Sequence, residues 1–232
     1  MSEFLAKVKG VKSLPIFPLP LVMLPNELLP LHIFEDRYKT MIADVARDTH
    51  MFGVTYFEPD DSFILRPKEG TVGCAAEIRE VESLPDGSSN ILTLGIIRFR
   101  LIRYNDGLKP YFVADVEFFE DEQSDADVVE PLSDEVHSLF GRLAEAAYRL
   151  GGGRGIGPEI NRTTPEALSF LVTAAIGFSN ERKQNLLEMT STIERLQILK
   201  AILVESVDRM EESARIHSVA GKNGHDRKKI DF

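Results

Sequence analysis

One cysteine in 232 residues, Cys74, excludes an internal disulfide framework and any multi-cysteine metal site. No uninterrupted apolar run approaches the roughly 20 residues that a membrane helix needs. The five histidines, His32, His50, His137, His217 and His225, form no HExxH or other metal-ligand spacing. Neither a G-x-S-x-G elbow nor a GxxxxGK(S/T) loop occurs, so α/β-hydrolase and nucleoside-triphosphatase chemistry are not signalled. No cofactor motif takes their place. Lysine and arginine are missing from the whole of 110–141, which carries ten acids: Asp115, Glu117, Glu120, Asp121, Glu122, Asp125, Asp127, Glu130, Asp134 and Glu135. That block equals the entire net charge of −10, a sign that opposes nucleic-acid binding.

What is present reads as a globular protein. Hydrophobic residues at 43% and charged residues at 28% are ordinary for a soluble fold, and the length allows one large domain or two small ones. Lys7, Lys9 and Lys12 imitate the charged start of a signal peptide. Prolines and the polar pair Asn26/Glu27 then interrupt the apolar stretch, and no small-residue cleavage site follows. The expectation is a cytoplasmic protein.

The pattern changes near residue 122. Before it, Val11–Pro18 and Leu28–Phe34 are short apolar runs bounded by proline, which suits edge strands or barrel corners. Met51–Phe57, Thr71–Val81, Ile91–Tyr104 and Tyr111–Phe119 complete the strand candidates, with Asp86-Gly87 at a hairpin tip. One helix interrupts them: Tyr38, Met41, Ile42 and Val45 make a single apolar stripe behind Glu35 and Asp36. After residue 122 the period is helical. Helices are expected over Ser133–Leu150, from Thr164-Pro165 to Gly177, over Glu181–Leu187 and over Thr192–Ile216. Strands followed by helices argue α+β, divided as 1–122, 123–217 and a disordered basic tail at 218–232.

Few side chains bear chemistry. Val72, Cys74, Ala76 and Ile78 alternate with Gly73, Ala75, Glu77 and Arg79, so Cys74 reads as a buried small hydrophobe. His32, inside "LHIF", reads as a structural histidine. The glycines of 151–158 follow a helix and read as a connector. Arg37 stands before the apolar helix stripe and Glu77 is a lone acid in a strand, so a partly buried Arg37–Glu77 ion pair is expected to dock helix on sheet. Glu35 belongs to the same group. The acidic block reads as a solvated linker.

"LPIFPLPLVMLPNELLPLHIFEDRY" (Leu14–Tyr38), "FGV", "GTVGCAAEI", "GIIRFRL", "PYFVADVE" and "KQNLLEMTSTIERLQILKAIL" together resemble the N-terminal substrate-binding domain of Lon proteases. The similarity covers about residues 11–205. It implies a PUA-like β pseudo-barrel with one embedded helix, then a helical bundle with a long last helix. It also implies recognition of unfolded or tagged protein segments, with a separate protease or chaperone as a further partner. The ATPase module and the Ser-Lys protease module of full-length Lon have no counterpart in these residues, so no catalytic role is inherited. A non-catalytic protein-binding module, an adaptor in protein quality control, is therefore expected. RNA binding through the PUA-like barrel is the alternative. The surface expected to touch a partner is the proline-bearing loop of Phe17, Leu19, Leu21, Met23 and Leu24.

Overall fold

The computed structural model describes residues 3–58, 66–105, 107–153, 155 and 157–223, with side chains through Ser213. The chain forms two compact units, Met1–Glu122 with Thr173–Thr190, and Gln123–Val172 with Ser191–Phe232.

In the first unit β1 (Ser13–Leu19) pairs in parallel with β3 (Met51–Tyr56) and antiparallel with β6 (Phe112–Phe119). β3 pairs with β4 (Val72–Ser83), β4 with β5 (Ser89–Tyr104), and β5 returns to β6. This order closes a five-stranded ring without a free edge. β2 (Leu28–Ile33) stands outside it, paired only with the first part of β5. β5 serves both because it is 16 residues long.

Two cores follow from the alternation of the strands. Leu14, Ile16, Ala75, Ile97, Phe99, Leu101 and Ala114 fill the inside of the ring. Gly53 and Gly73 leave room there for the Phe99 ring, which a Cβ at either position would meet within 3 Å. Phe17, Phe52, Val54, Cys74 and Ala76 face the other way, under α2 (Asp36–Val45). The buried residues of α2 are Tyr38, Met41, Ile42 and Val45, the four of the expected stripe.

The proline-bearing loop folds back onto this second core. Phe17, Met23 and Leu24 are 6%, 2% and 0% exposed, while Leu19 and Leu21 are half-buried against the same cluster. Backbone bonds fix it: Asn26 N–H donates to Gly95 O (2.8 Å), and Gly95 N–H donates to Glu27 O (2.9 Å). Leu24 N–H also donates to the Glu27 carboxylate (2.8 Å), and Asn26 takes the left-handed turn conformation at φ 64°. The five apolar residues expected to meet a partner are thus part of the fold's own core. That expectation is corrected.

The Arg37–Glu77 pair is corrected as well. Arg37 pairs with Glu35 at 2.7 Å and lies over the Tyr38 ring. Glu77 pairs with Lys7 (3.0 Å) and Arg79 (2.7 Å). Glu77 lies opposite Met51 and Leu94, on the face that continues the barrel interior, whereas α2 covers the opposite face. Lys7 belongs to α1 (Glu3–Lys7), a five-residue helix too short to show a period in the sequence. Phe4, Leu5 and Val8 pack it against the interior core.

The acidic block is not a linker either. Asp115 in β6 binds Arg103 (2.8 Å) and Asn105 (2.7 Å), and burial brings Asp121 onto Arg98. Asp125 caps α3 (Ala126–Leu150) by accepting from Asp127 N–H at 3.0 Å. Acids at a helix start are favoured by its dipole, so the block supplies a cap and a first turn. Consequently α3 starts seven residues before the expected Ser133 and holds Pro131 within it.

α5 (Asn180–Glu188), which the sequence groups with the helices, packs on the strands of the first unit. Gln184 donates to Val72 O (2.9 Å) and Asn180 to Pro20 O (2.9 Å). Arg98, 1% exposed, donates to the Leu187 and Met189 carbonyls (3.0 and 2.6 Å) at the helix end and to Asp121.

In the second unit α3 lies beside α6 (Thr192–Asn223) in the same direction, since Glu135 meets Lys200 and Arg142 meets Glu211. Val129, Val136 and Phe140 of α3 and Leu196, Leu199, Leu203 and Val207 of α6 are buried in this unit. α4 (Pro165–Ala175) carries Ser169 and Phe170, which receive the fully buried Arg195: a 2.7 Å bond to the hydroxyl and a ring contact at 4.1 Å. α6 runs to Asn223, past the expected end at Ile216. The rest of the expected basic tail, 224–232, lies outside the described residues.

Candidate functional site

β2, the start of β5 and the end of β4 project from the ring as a three-stranded arm. Its inner face, Leu29, Leu31, Ile33 and Ile91, closes over the core under α2. Its outer face is read from the register. Leu28 opposes Leu94, Pro30 opposes Leu92, and His32 opposes Asn90. On β4 the same rows continue to Glu77, Glu80 and Glu82. Phe34 lies over this face, its ring stacked on that of His32 at 5.9 Å.

This face is unusual for what it leaves uncovered. Leu28 is 58% exposed and Phe34 62% exposed, with exposed Pro30 between them. Scattered exposed apolar residues need no explanation, but three in one row along a sheet edge do. Next to them His32 Nδ1 lies 2.9 Å from Asn90 Oδ1, and Asn90 Nδ2 donates to Glu82 at 3.1 Å. That orientation makes His32 the donor at Nδ1. No cation pairs with Glu80 or Glu82 among the described residues.

Two clefts lie elsewhere on the first unit. One of about 100 Å³ is lined by Arg37, Tyr38, Lys109, Pro110, Tyr111 and Phe112. Its cations are committed: Arg37 to Glu35, and Lys109 to Asp44 at 2.6 Å. Tyr111 also donates to Asp44 (2.7 Å), and these two bonds hold the Asp44 carboxyl below its usual range. The other, of about 300 Å³, mixes Tyr56 and Phe57 with Arg66, Pro67 and Lys68, without converging groups that define a reaction.

Nor is a catalytic constellation assembled among the described residues. Burial pushes the Cys74 thiol up to about 12, and the side chain is fully enclosed. Such a thiol carries almost no thiolate at neutral pH. Iodoacetamide is therefore expected to leave native Cys74 unmodified and to alkylate it once guanidinium unfolds the protein, as intact mass reports. Rapid labelling of the native protein contradicts this picture. Among the described residues no group of three His, Cys, Asp or Glu is gathered as a metal site, and no helix is long and apolar enough to cross a membrane.

The outer-face residues were hidden inside "LLPLHIF". Pro30 was the available signal, because proline within a sheet is confined to an edge. Residues 28, 30, 32 and 34 then share the face that α2 does not cover.

Residues 13–205 match the family model described as the ATP-dependent protease La (LON) substrate-binding domain. The chain belongs to this family. Among curated relatives, the Lon protease of Desulforamulus reducens is 24% identical over 214 residues, 89% of this chain and 26% of its own length. The Lon protease of Lawsonia intracellularis is 28% identical over 229 residues, 95% of this chain and 27% of its own. The Lon-domain chain thus spans about a quarter of those relatives, and the match lies in the substrate-binding domain rather than in the ATPase or protease modules. Solved structures agree on the fold. The Lon N-terminal domain protein from Xanthomonas campestris superposes with a TM-score of 0.61 at 24% identity, covering 82% of this chain and 98% of that one. The N-terminal domain of the Mycobacterium avium complex Lon protease gives 0.62 at 20% identity, covering 85% and 98%.

Proposed function

We propose that this Lon-family domain is a non-catalytic cytoplasmic module that captures unfolded or tagged segments of other proteins on the outer face of the β2–β5–β4 arm. In this role it serves as an adaptor for a separate protease or chaperone. The observation that carries the reading is the row Leu28, Pro30 and Phe34, apolar and exposed on a strand with an open edge. Membership of a substrate-binding family supports it. The negative charge, with Arg37, Arg79, Arg103 and Lys109 all held in ion pairs, favours protein over RNA as the ligand.

The test is a double variant, Leu28→Ser with Phe34→Ser, titrated against a fluorescent, reduced and alkylated protein that cannot refold. Removing two exposed anchors is expected to weaken binding roughly tenfold or more. Because neither side chain is buried, stability should change by no more than about 0.5 kcal/mol per site. Unaltered affinity rejects this face as the binding site.

A further inference from the structure

We infer that the segment is bound by strand addition: it becomes a further strand beside β2. This rests on the binding role just proposed and adds the mode and chemistry of recognition.

The backbone parity of β2 can be read from two bonds. Gly95 N–H donates to Glu27 O, and Thr93 Oγ1 donates to Leu29 O at 2.8 Å. The polar groups of alternate residues point to opposite sides of a strand, so 27, 29, 31 and 33 turn theirs toward β5. Leu28, Pro30 and His32 turn theirs outward. β2 has no sheet neighbour on that side, and among the described residues no backbone hydrogen bond reaches it. The edge therefore offers three carbonyls and, because proline has no N–H, two donors.

The position of Pro30 decides which partner fits. Two copies of β2 pairing antiparallel with all three outward residues overlapped would set Pro30 against Pro30. Both central donors would be absent, and each Pro30 carbonyl would meet an imide nitrogen that carries no hydrogen. A foreign strand forfeits only the one bond that Pro30 cannot donate. The edge is thus poor for self-pairing and open to another protein's extended segment, a known use of exposed edges. Side chains set the composition of that segment. Alternate residues lie beside Leu28, Pro30 and Phe34 and should be apolar, while Glu80 and Glu82, which have no ion pair among the described residues, favour lysine or arginine at its flanks.

The probe is a fluorescein-labelled ten-residue peptide of alternating leucine and threonine flanked by lysines, with single N-methyl groups introduced along it. The leucines sit on the apolar face. In antiparallel addition their N–H groups point at β2, and in parallel addition those of the threonines do. Methylating one class only is expected to weaken binding roughly tenfold by removing a ladder bond, and the other class less than about twofold. Equal sensitivity of both classes, or none, overturns strand addition. If Leu28→Ser with Phe34→Ser still abolishes that binding, the proposed function stands without it. No binding of the unmethylated peptide removes both. A dimer of the chain that the peptide dissociates, seen by sedimentation velocity, would assign the edge to a second copy instead.

Discussion

Arg98→Ala is expected to cost about 3–5 kcal/mol, the range found when one partner of a buried ion pair is removed. Arg98 is 1% exposed and its three acceptors come from two places in the sequence: Asp121 after β6, and the Leu187 and Met189 carbonyls at the end of α5. The terminal carbonyls of a helix have no partner within it, so Arg98 completes the helix as well as pairing a charge. Its guanidinium also lies 4.7 Å from the centre of the Phe119 ring. Truncation takes away all of these contacts and leaves the Asp121 carboxylate in a buried site without this cation. Urea unfolding should show the loss directly. Arg98→Ala combined with Asp121→Ala should recover part of it, because the buried charge goes too. A single variant within 1 kcal/mol of the parent contradicts the assignment.

Gly95→Ala is the second large effect. A Cβ at Gly95 would stand 2.2 Å from the Leu24 carbonyl oxygen, and that oxygen belongs to backbone. The neighbour cannot rotate away, since Gly95 itself bonds Asn26 and Glu27 across the same gap. Either the proline-bearing loop lifts or β5 shifts. Lifting the loop exposes Met23 and Leu24, and fully burying such a side chain contributes about 1.5–3 kcal/mol. A loss of about 3 kcal/mol or more by thermal or urea unfolding is expected. Gly87→Ala is the control: its position faces open space and carries only the strain of φ 80°.

Much of this fold was legible in the sequence because its signals are local. The stripe of α2 and the alternation through Cys74 each depend on a few neighbouring residues. The same Asn26 and Glu27 that argue against a signal peptide hold the loop onto β5. What failed was long-range. Alternation divides "LLPLHIF" into two faces but does not say which one α2 will cover, so Leu28 and Phe34 looked like the residues beside them. Met23 and Leu24 read as a sticky loop because the backbone anchor that folds them inward, Gly95, lies far along the chain. Asp121 read as one acid in a solvated run because nothing local pairs it with Arg98. Glu77 and Arg37 looked complementary, but the strand register sends Glu77 to the opposite side of the sheet from α2.

The ring order has a kinetic consequence. β1 emerges before the other five strands of the sheet during synthesis, yet its partner residue for Ser13 is Asp115, about a hundred residues later. Its parallel partner β3 is also non-local, with β2 and α2 lying between them. Closing such loops costs entropy before any contact repays it, and pairings of this kind slow folding. The β4–β5 hairpin, by contrast, can form as soon as its turn at Asp86-Gly87 is made. Nascent chain is therefore expected to hold the first half of β1, Ser13 to Ile16, without its β6 partner until β6 has been synthesised.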